Sequence, residues 1–238
     1  MEKLKRAIIV AAGEGRRLRP VTLDTPKPLV TVNGTRLIDT SIKALKHHGI
    51  HEIYIVTGYK SEQFREVYKE DPEIIILENE HYLEGNNITS LYVAREYLPG
   101  AFVLEGDLII SNENIFDPQI VKSGYFATWM DDAPEWALKL TDGTISYYNI
   151  GGGKESYRLW GVSMWTEHDG RILSEMVRAQ IEEVRDWNIY WDELALSQSG
   201  ITLDLGIREI GPDDITEIDT FEELKEIDPA YEAYQMQR

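Results

Sequence analysis

After a charged start, residues 7–12 (Ala-Ile-Ile-Val-Ala-Ala) form a short, wholly apolar run, which predicts a buried central strand. Runs at 52–57, 73–77 and 101–104 read the same way, with a short extended stretch at 29–32. Between them the spacing turns helical. Residues 36–48 place Leu37, Ile38, Ser41, Ile42 and Leu45 on one face, and Gly49 stands where a helix-ending glycine belongs. Residues 61–69 predict a second helix and 86–98 a third, opened by an asparagine cap. Strands alternating with helices imply a parallel, doubly wound sheet, whose ligands gather at the carboxyl ends of the strands. Gly13, Gly58 and Asp107 all fall at such ends.

From residue 124 the pattern changes to alternation. Segments 125–130, 136–140, 144–148 and 159–165, separated by Asp-Gly and Gly-Gly-Gly turns, predict antiparallel additions to the sheet. Helices follow at 167–185 and 190–197, a strand at 202–207, and an extended Glu217-Ile-Asp219. Thr220 and Glu223 have the spacing of a capping box that starts a last helix. The expected architecture is one α/β domain over 1–238, a three-layer α/β/α fold around a Rossmann-like, mostly parallel sheet. Residues 1–123 form its anion-binding half and 124–238 the half that completes the substrate pocket.

Composition narrows the function. A chain of 238 residues can bury a substantial core, and the absence of cysteine excludes disulfides and thiolate metal sites. No apolar run is long enough to cross a membrane, and the first one leads straight into Glu14 and arginines, unlike a signal peptide. A cytoplasmic protein, monomeric or homodimeric, is expected. The net charge of −18 argues against nucleic acid as a partner. Its distribution is uneven: the first 46 residues carry 10 Lys and Arg against 4 Asp and Glu, the remainder 14 against 38. The positive charge thus sits beside one glycine turn, as a small-anion site would require.

That turn is the chemical centre of the sequence. Gly13 and Gly15 follow the first strand and allow successive N–H groups to face one concavity, with Arg16, Arg17, Arg19 and Lys27 supplying fixed positive charge. Leu18 stands where a dinucleotide fingerprint needs a small residue, and the phosphate-loop Gly-Lys-Ser/Thr is absent. The longer pattern A-A-G-x-G-x-R-L-x-P-x-T, then P-K-P-L, resembles the nucleotidyltransferase superfamily that makes NDP-sugars and CDP-alcohols. The resemblance implies that Asp107 and Asp219 hold Mg²⁺, with Arg16 and Lys27 as the catalytic cations on the triphosphate. A phosphate or phosphonate oxygen then attacks the α-phosphorus and releases pyrophosphate.

Further motifs sharpen the resemblance. Asn86-Asn-Ile-x-Ser90, Glu135-Trp136, Gly161-Val-Ser-x-Trp165, Tyr190-Trp-Asp192 and Glu217-Ile-Asp219 are similar to those of the bacterial CTP:phosphocholine cytidylyltransferases, over almost the whole chain. What this implies is a nucleotide site made by Ala11, Ala12, Gly13, Gly15, Arg16, Lys27, Gly58, Tyr59, Asn87, Ser90, Glu105 and Gly106. The acceptor would meet Trp136, Tyr190, Asp192 and Glu217. All six tryptophans lie beyond residue 128, and aromatic faces attract poorly hydrated cations such as choline. Phosphocholine is the leading acceptor. The same reaction on 2-aminoethylphosphonate or phosphoethanolamine comes next, then a sugar 1-phosphate. A non-catalytic relative would have no need to keep Arg16, Lys27, Asp107 and Asp219 together.

Overall fold

A computed structural model describes residues 1–234. The first half contains β1 (Arg6–Ala11), α1 (Leu37–His47), β2 (Glu52–Thr57), α2 (Ser61–Tyr68), β3 (Ile74–Glu78), α3 (Ile88–Ala94), β4 (Ala101–Glu105) and β5 (Leu108–Ile110). The second half adds β6 (Gly124–Ala133), β7 (Ala137–Thr141), β8 (Thr144–Asn149), β9 (Gly153–Met164) and α4 (Glu167–Ala179). It ends with α5 (Trp191–Leu196), β10 (Gly206–Glu209), β11 (Ile215–Glu217) and α6 (Phe221–Ile227).

The main sheet runs β8-β7-β9-β4-β1-β2-β3, with β6 also paired to β9 and β10 paired to β6. β1 lies between β4 and β2 and is parallel to both, so that Ile9 sits opposite Leu104 on one side and Ile55 on the other. Successive side chains of a strand point to opposite faces. Ile8 therefore packs with Leu91, Ala94, Leu173 and Val177 of α3 and α4, while Ala7 and Ile9 pack with Ile38, Leu45 and Phe64 of α1 and α2. A strand with helices on both faces has no polar face to present, which is why its sequence is apolar from Ala7 onward.

β9 turns the sheet antiparallel: Val162 to Met164 pair with Leu104 to Phe102, Tyr157 and Arg158 pair with β7, and β6 pairs with β9 from Gly153 to Met164. The mixed sheet with helices on both faces is the fold expected from the pattern. Several boundaries differ for local reasons. The strand expected at 202–207 is β10, shifted toward the C-terminus. Residues 198–203 instead close on themselves, with Gly200 N–H donating to Leu203 C=O (2.7 Å) and Leu203 N–H to Gln198 C=O (3.0 Å). Leu203 and Leu205 are buried without a ladder, and their alternation imitates a strand. The helix expected over 167–185 is α-helical to Ala179 and then widens to a π-turn over Gln180–Val184. Asn87 precedes α3 but does not cap it; its Oδ1 accepts from the Trp191 N–H (3.1 Å) at the start of α5.

The capping box is present as expected. Thr220 Oγ1 accepts from Glu223 N–H, while Glu223 Oε2 accepts from the N–H groups of Thr220 and Asp219 (2.8 and 2.7 Å). The start of α6 thereby fixes the backbone that carries Asp219. β11 pairs antiparallel with β5, and Glu217 falls opposite Leu108, next to Asp107. Among the described residues no helix is long and apolar enough to cross a membrane.

Candidate active site

The carboxyl ends of β1 and β4, the loop before α3, the β6–β7 turn and the end of β11 enclose one cleft of about 560 Å³. Gly15 shapes its first wall. Its backbone is left-handed (φ 59°), and a Cβ there would lie 2.9 Å from Lys27 Cβ, so conformation and space both require glycine. Thr22 Oγ1 donates to the Gly15 carbonyl (2.9 Å) and holds the turn.

Lys27, in a short turn between Pro26 and Pro28, is buried and aims its ammonium between two carboxylates. Nζ donates to Asp107 Oδ2 (2.6 Å) and Asp219 Oδ1 (3.0 Å). Residues 112 positions apart in the chain therefore meet on one nitrogen. Burial alone would lower the Lys27 pKa; Asp107 and then Asp219 outweigh it, and the pKa is raised. Arg17 also reaches Asp219 (2.7 Å), and Arg16 rests on Glu14 (Nε to Oε2, 2.7 Å).

Opposite these cations lies an acidic cluster. Glu105, Asp107 and Glu217 can bring one carboxylate oxygen each within 4.8 Å of one another. Glu105 reaches there because Gly161 of β9 leaves room: a Cβ at that position would lie 2.8 Å from Glu105 Cγ. Burial, reinforced by Asp107, Asp192 and Glu217, pushes the Glu105 carboxyl well above its ordinary range. Burial, with Asp107 and Asp219 adding repulsion, pushes Glu217 up to about 7. Asp107 Oδ1 is buried and has no hydrogen-bond partner among the described residues. Crowded, unsatisfied carboxylate oxygens suit a hard divalent cation, which takes oxygen ligands and offsets the repulsion.

The far wall is aromatic. Trp136 and Tyr190 meet edge to face, with ring centroids 5.5 Å apart and planes at 89°. Trp136 has a positive φ (43°), costly for a bulky side chain. The conformation is held by its N–H donating to Ile150 C=O (3.1 Å) and its carbonyl accepting from Leu159 N–H (2.9 Å). Glu135 precedes it on the cleft wall, its carboxylate tied to Arg158 (2.9 Å).

Of the residues singled out in the sequence, Ala11, Ala12, Gly13, Gly15, Arg16, Lys27, Asn87, Ser90, Glu105, Gly106, Asp107, Trp136, Tyr190, Glu217 and Asp219 line this cleft. Gly58 and Tyr59 do not. The Tyr82 ring packs against Gly58 and takes its place on the wall, and Tyr59 N–H donates to Ala12 C=O from behind (3.0 Å). Asp192 is also off the lining, buried in α5. Arg158 and the acidic grouping of Glu105 and Glu217 with Asp107 were not legible as such. The available signal for Arg158 was a charged residue entering the apolar half of a strand, next to Leu159 and Trp160.

Burial pushes the Asp192 carboxyl up to about 7. A carboxyl whose folded pKa exceeds its unfolded value favours the fold when protonated. Its penalty is complete above about pH 7 and is relieved as pH falls toward the ordinary Asp range. The melting temperature of the substrate-free protein should therefore fall less steeply between pH 6 and 8 in Asp192→Asn than in the parent. Parallel profiles in scanning calorimetry would show that Asp192 is ionised throughout.

Comparison with known proteins identifies the family. The nucleotidyl transferase family model matches residues 6–122. A 2-aminoethylphosphonate cytidylyltransferase of Lancefieldella rimae is 37% identical over 229 residues, covering 94% of this chain and 92% of that protein. A choline-phosphate cytidylyltransferase of Streptococcus pneumoniae is 33% identical over 224 residues, covering 94% and 96%. The solved CTP:phosphocholine cytidylyltransferase from Streptococcus pneumoniae superposes with a TM-score of 0.86 at 30% identity, over 95% of this chain and 99% of that one. The inositol-1-phosphate CTP transferase from T. maritima, at 21% identity and a TM-score of 0.76, shares the fold over 97% of this chain and 95% of its own.

Proposed function

The chain belongs to the nucleotidyl transferase family and is a cytidylyltransferase, and from that premise we propose that it joins CTP to a small acceptor carrying both a phosphonate or phosphate and a cationic head group. The observation that carries this reading is the Trp136–Tyr190 corner, with the Glu135 carboxylate beside it, in the same cleft as the glycine turn, Lys27 and Asp107. Ring faces and a carboxylate attract a cation; a sugar would call for many directional hydrogen-bonding groups. We place 2-aminoethylphosphonate first. A primary ammonium needs oxygen acceptors, and the part-exposed Glu135 carboxylate offers one. Phosphocholine is the second reading, favoured by the ring pair, since a trimethylammonium donates no hydrogen bonds.

The attacking acceptor oxygen is already ionised at neutral pH, so the reaction needs alignment and charge neutralisation rather than a general base. Arg16 and Lys27, both on the cleft lining, would draw off charge from the triphosphate as pyrophosphate departs. Arg17 and Lys27 hold Asp219 in place, and the Gly13–Gly15 turn would offer backbone donors to the phosphates. Asp107 would hold Mg²⁺ with Asp219 as second ligand once Lys27 turns from both to the phosphates, and Glu105 and Glu217, each with an oxygen within 4.8 Å of one from Asp107, would complete the acidic wall around it. When bound, that ion supplies neutralisation of the triphosphate charge.

Pyrophosphate release tests the reading directly, with four nucleoside triphosphates crossed against 2-aminoethylphosphonate, phosphocholine, phosphoethanolamine and glucose 1-phosphate. CTP with a cationic acceptor is expected to dominate; turnover of glucose 1-phosphate alone would refute the aromatic corner as a cation site. Trp136→Ala should raise the acceptor KM roughly tenfold, as loss of about 1.4 kcal/mol of ring–cation contact implies. Trp136→Phe should keep most of the affinity, and the KM for CTP should stay near that of the parent in both. An unchanged acceptor KM in Trp136→Ala would move the head group elsewhere.

A further inference from the structure

Arg158 stands in β9 behind the cleft, and one of its terminal nitrogens donates to two carboxylates on different elements. These are Glu135 (2.9 Å), from the β6–β7 turn, and Glu217 (3.4 Å), at the end of β11. We infer that Arg158 is a positioning residue that ties the acceptor pocket to the acidic cluster and acts on the two in opposite directions. The inference rests on the reading above that a cationic head group binds beside Trp136 and Tyr190.

The guanidinium is locked from behind. Its central carbon lies 4.2 Å from the ring centroid of Trp160, whose indole N–H donates to Thr128 Oγ1 (2.9 Å). Thr128 Oγ1 in turn donates to the Ile210 carbonyl (3.2 Å). The Nε of Arg158 is buried and has no acceptor among the described residues. A side chain placed only to satisfy its own donors would pair that N–H. This one leaves it unpaired and directs a terminal nitrogen at two acids that both face the cleft. A planar cation that can stack on an indole while donating at its edge is suited to this; a lysine ammonium is not.

The two contacts have different consequences. The shorter one fixes the Glu135 carboxylate on the cleft wall that also carries Trp136, where it can receive the acceptor's positive end. The longer one sets a positive charge against Glu217, one of the three clustered acids, and so opposes a divalent cation held there. Loss of the guanidinium should loosen Glu135 and at the same time make the cluster more attractive to a cation.

Arg158→Met separates this from general damage. Mn²⁺ binding to the full-length chain, followed by electron paramagnetic resonance without nucleotide, should tighten about threefold or more. The acceptor KM should rise about tenfold, as for loss of a charge-assisted contact, with the KM for CTP within about twofold of the parent. A merely structural lesion would weaken both. Arg158→Lys retains the charge without the fork: its Mn²⁺ affinity should stay near the parent's while its acceptor KM rises, which keeps the test open if the Met variant unfolds. Mn²⁺ affinity unchanged or weaker in Arg158→Met, or an acceptor KM unchanged in Arg158→Lys, would overturn the inference. If the parent turns over no cationic acceptor, the proposed substrate is wrong, and the Mn²⁺ titration alone still decides how Arg158 acts on Glu217.

Discussion

Asp107→Asn should lower kcat by about three orders of magnitude, roughly 4 kcal/mol of transition-state stabilisation, and leave the fold intact. Among the described residues, no other side chain takes part in both charged groupings of the cleft. Asp107 Oδ2 receives the Lys27 ammonium, Oδ1 is buried without a partner, and its carboxylate converges with Glu105 and Glu217. An amide keeps the shape but removes the charge that a metal–triphosphate complex requires. The melting temperature should hold or rise, because relief of repulsion from Glu105 and Glu217 outweighs the weakened contact to Lys27, whose ammonium keeps Asp219 as a partner. Single-turnover pyrophosphate release alongside thermal unfolding measures both. Activity within about tenfold of the parent would remove Asp107 from the reaction centre. Asp219→Asn should also abolish steady-state turnover, since Asp219 shares Lys27 with Asp107.

Lys27→Met should be comparably damaging to turnover, about 10²–10³-fold, but with the opposite effect on stability. Lys27 is the buried partner of two carboxylates that are each about a fifth exposed. Removing one member of a buried pair can cost about 3–5 kcal/mol; with partners this open to solvent, about 1–3 kcal/mol is the reasonable scale. The variant leaves Asp107 and Asp219 facing each other without the ammonium between them. Added Mg²⁺ should therefore raise its melting temperature more than it raises the parent's, because an ion then supplies the missing charge. A Lys27→Met protein as stable and as active as the parent would show that the ammonium is incidental. One that is inactive yet gains nothing from Mg²⁺ would separate Lys27 from the cation site.

The sheet and its ligand end were readable because their causes are local. The apolar run of β1, the 3.6-residue periodicity of α1 and the Thr220–Glu223 capping box each depend on neighbours a few residues away. The meeting of Asp107 with Asp219 was readable for another reason: the family resemblance pairs aspartates at the ends of two extended segments, and here both reach the Lys27 ammonium. Arg158 was not, since its role depends on a strand pairing that brings Glu135 and Glu217 from separate elements to one nitrogen. Gly58 and Tyr59 sit at a strand end as expected, yet Tyr82, from a loop with no strong pattern, covers the position. β10 begins later than expected because buried Leu203 and Leu205 alternate like a strand, while Leu203 closes a turn and Leu205 makes one bond to Ile145 of β8. Local rules place elements; which loop covers which strand end is decided by packing at long range.

Diffraction from crystals grown with Mn²⁺ and a non-hydrolysable CTP analogue, collected at the manganese edge, would address the reaction centre most directly. An anomalous peak bonded to Asp107 and shared with Asp219, with Lys27 turned onto the phosphates, is the expected result. A peak bonded to neither aspartate, or triphosphate density away from the Gly13–Gly15 turn, would contradict it.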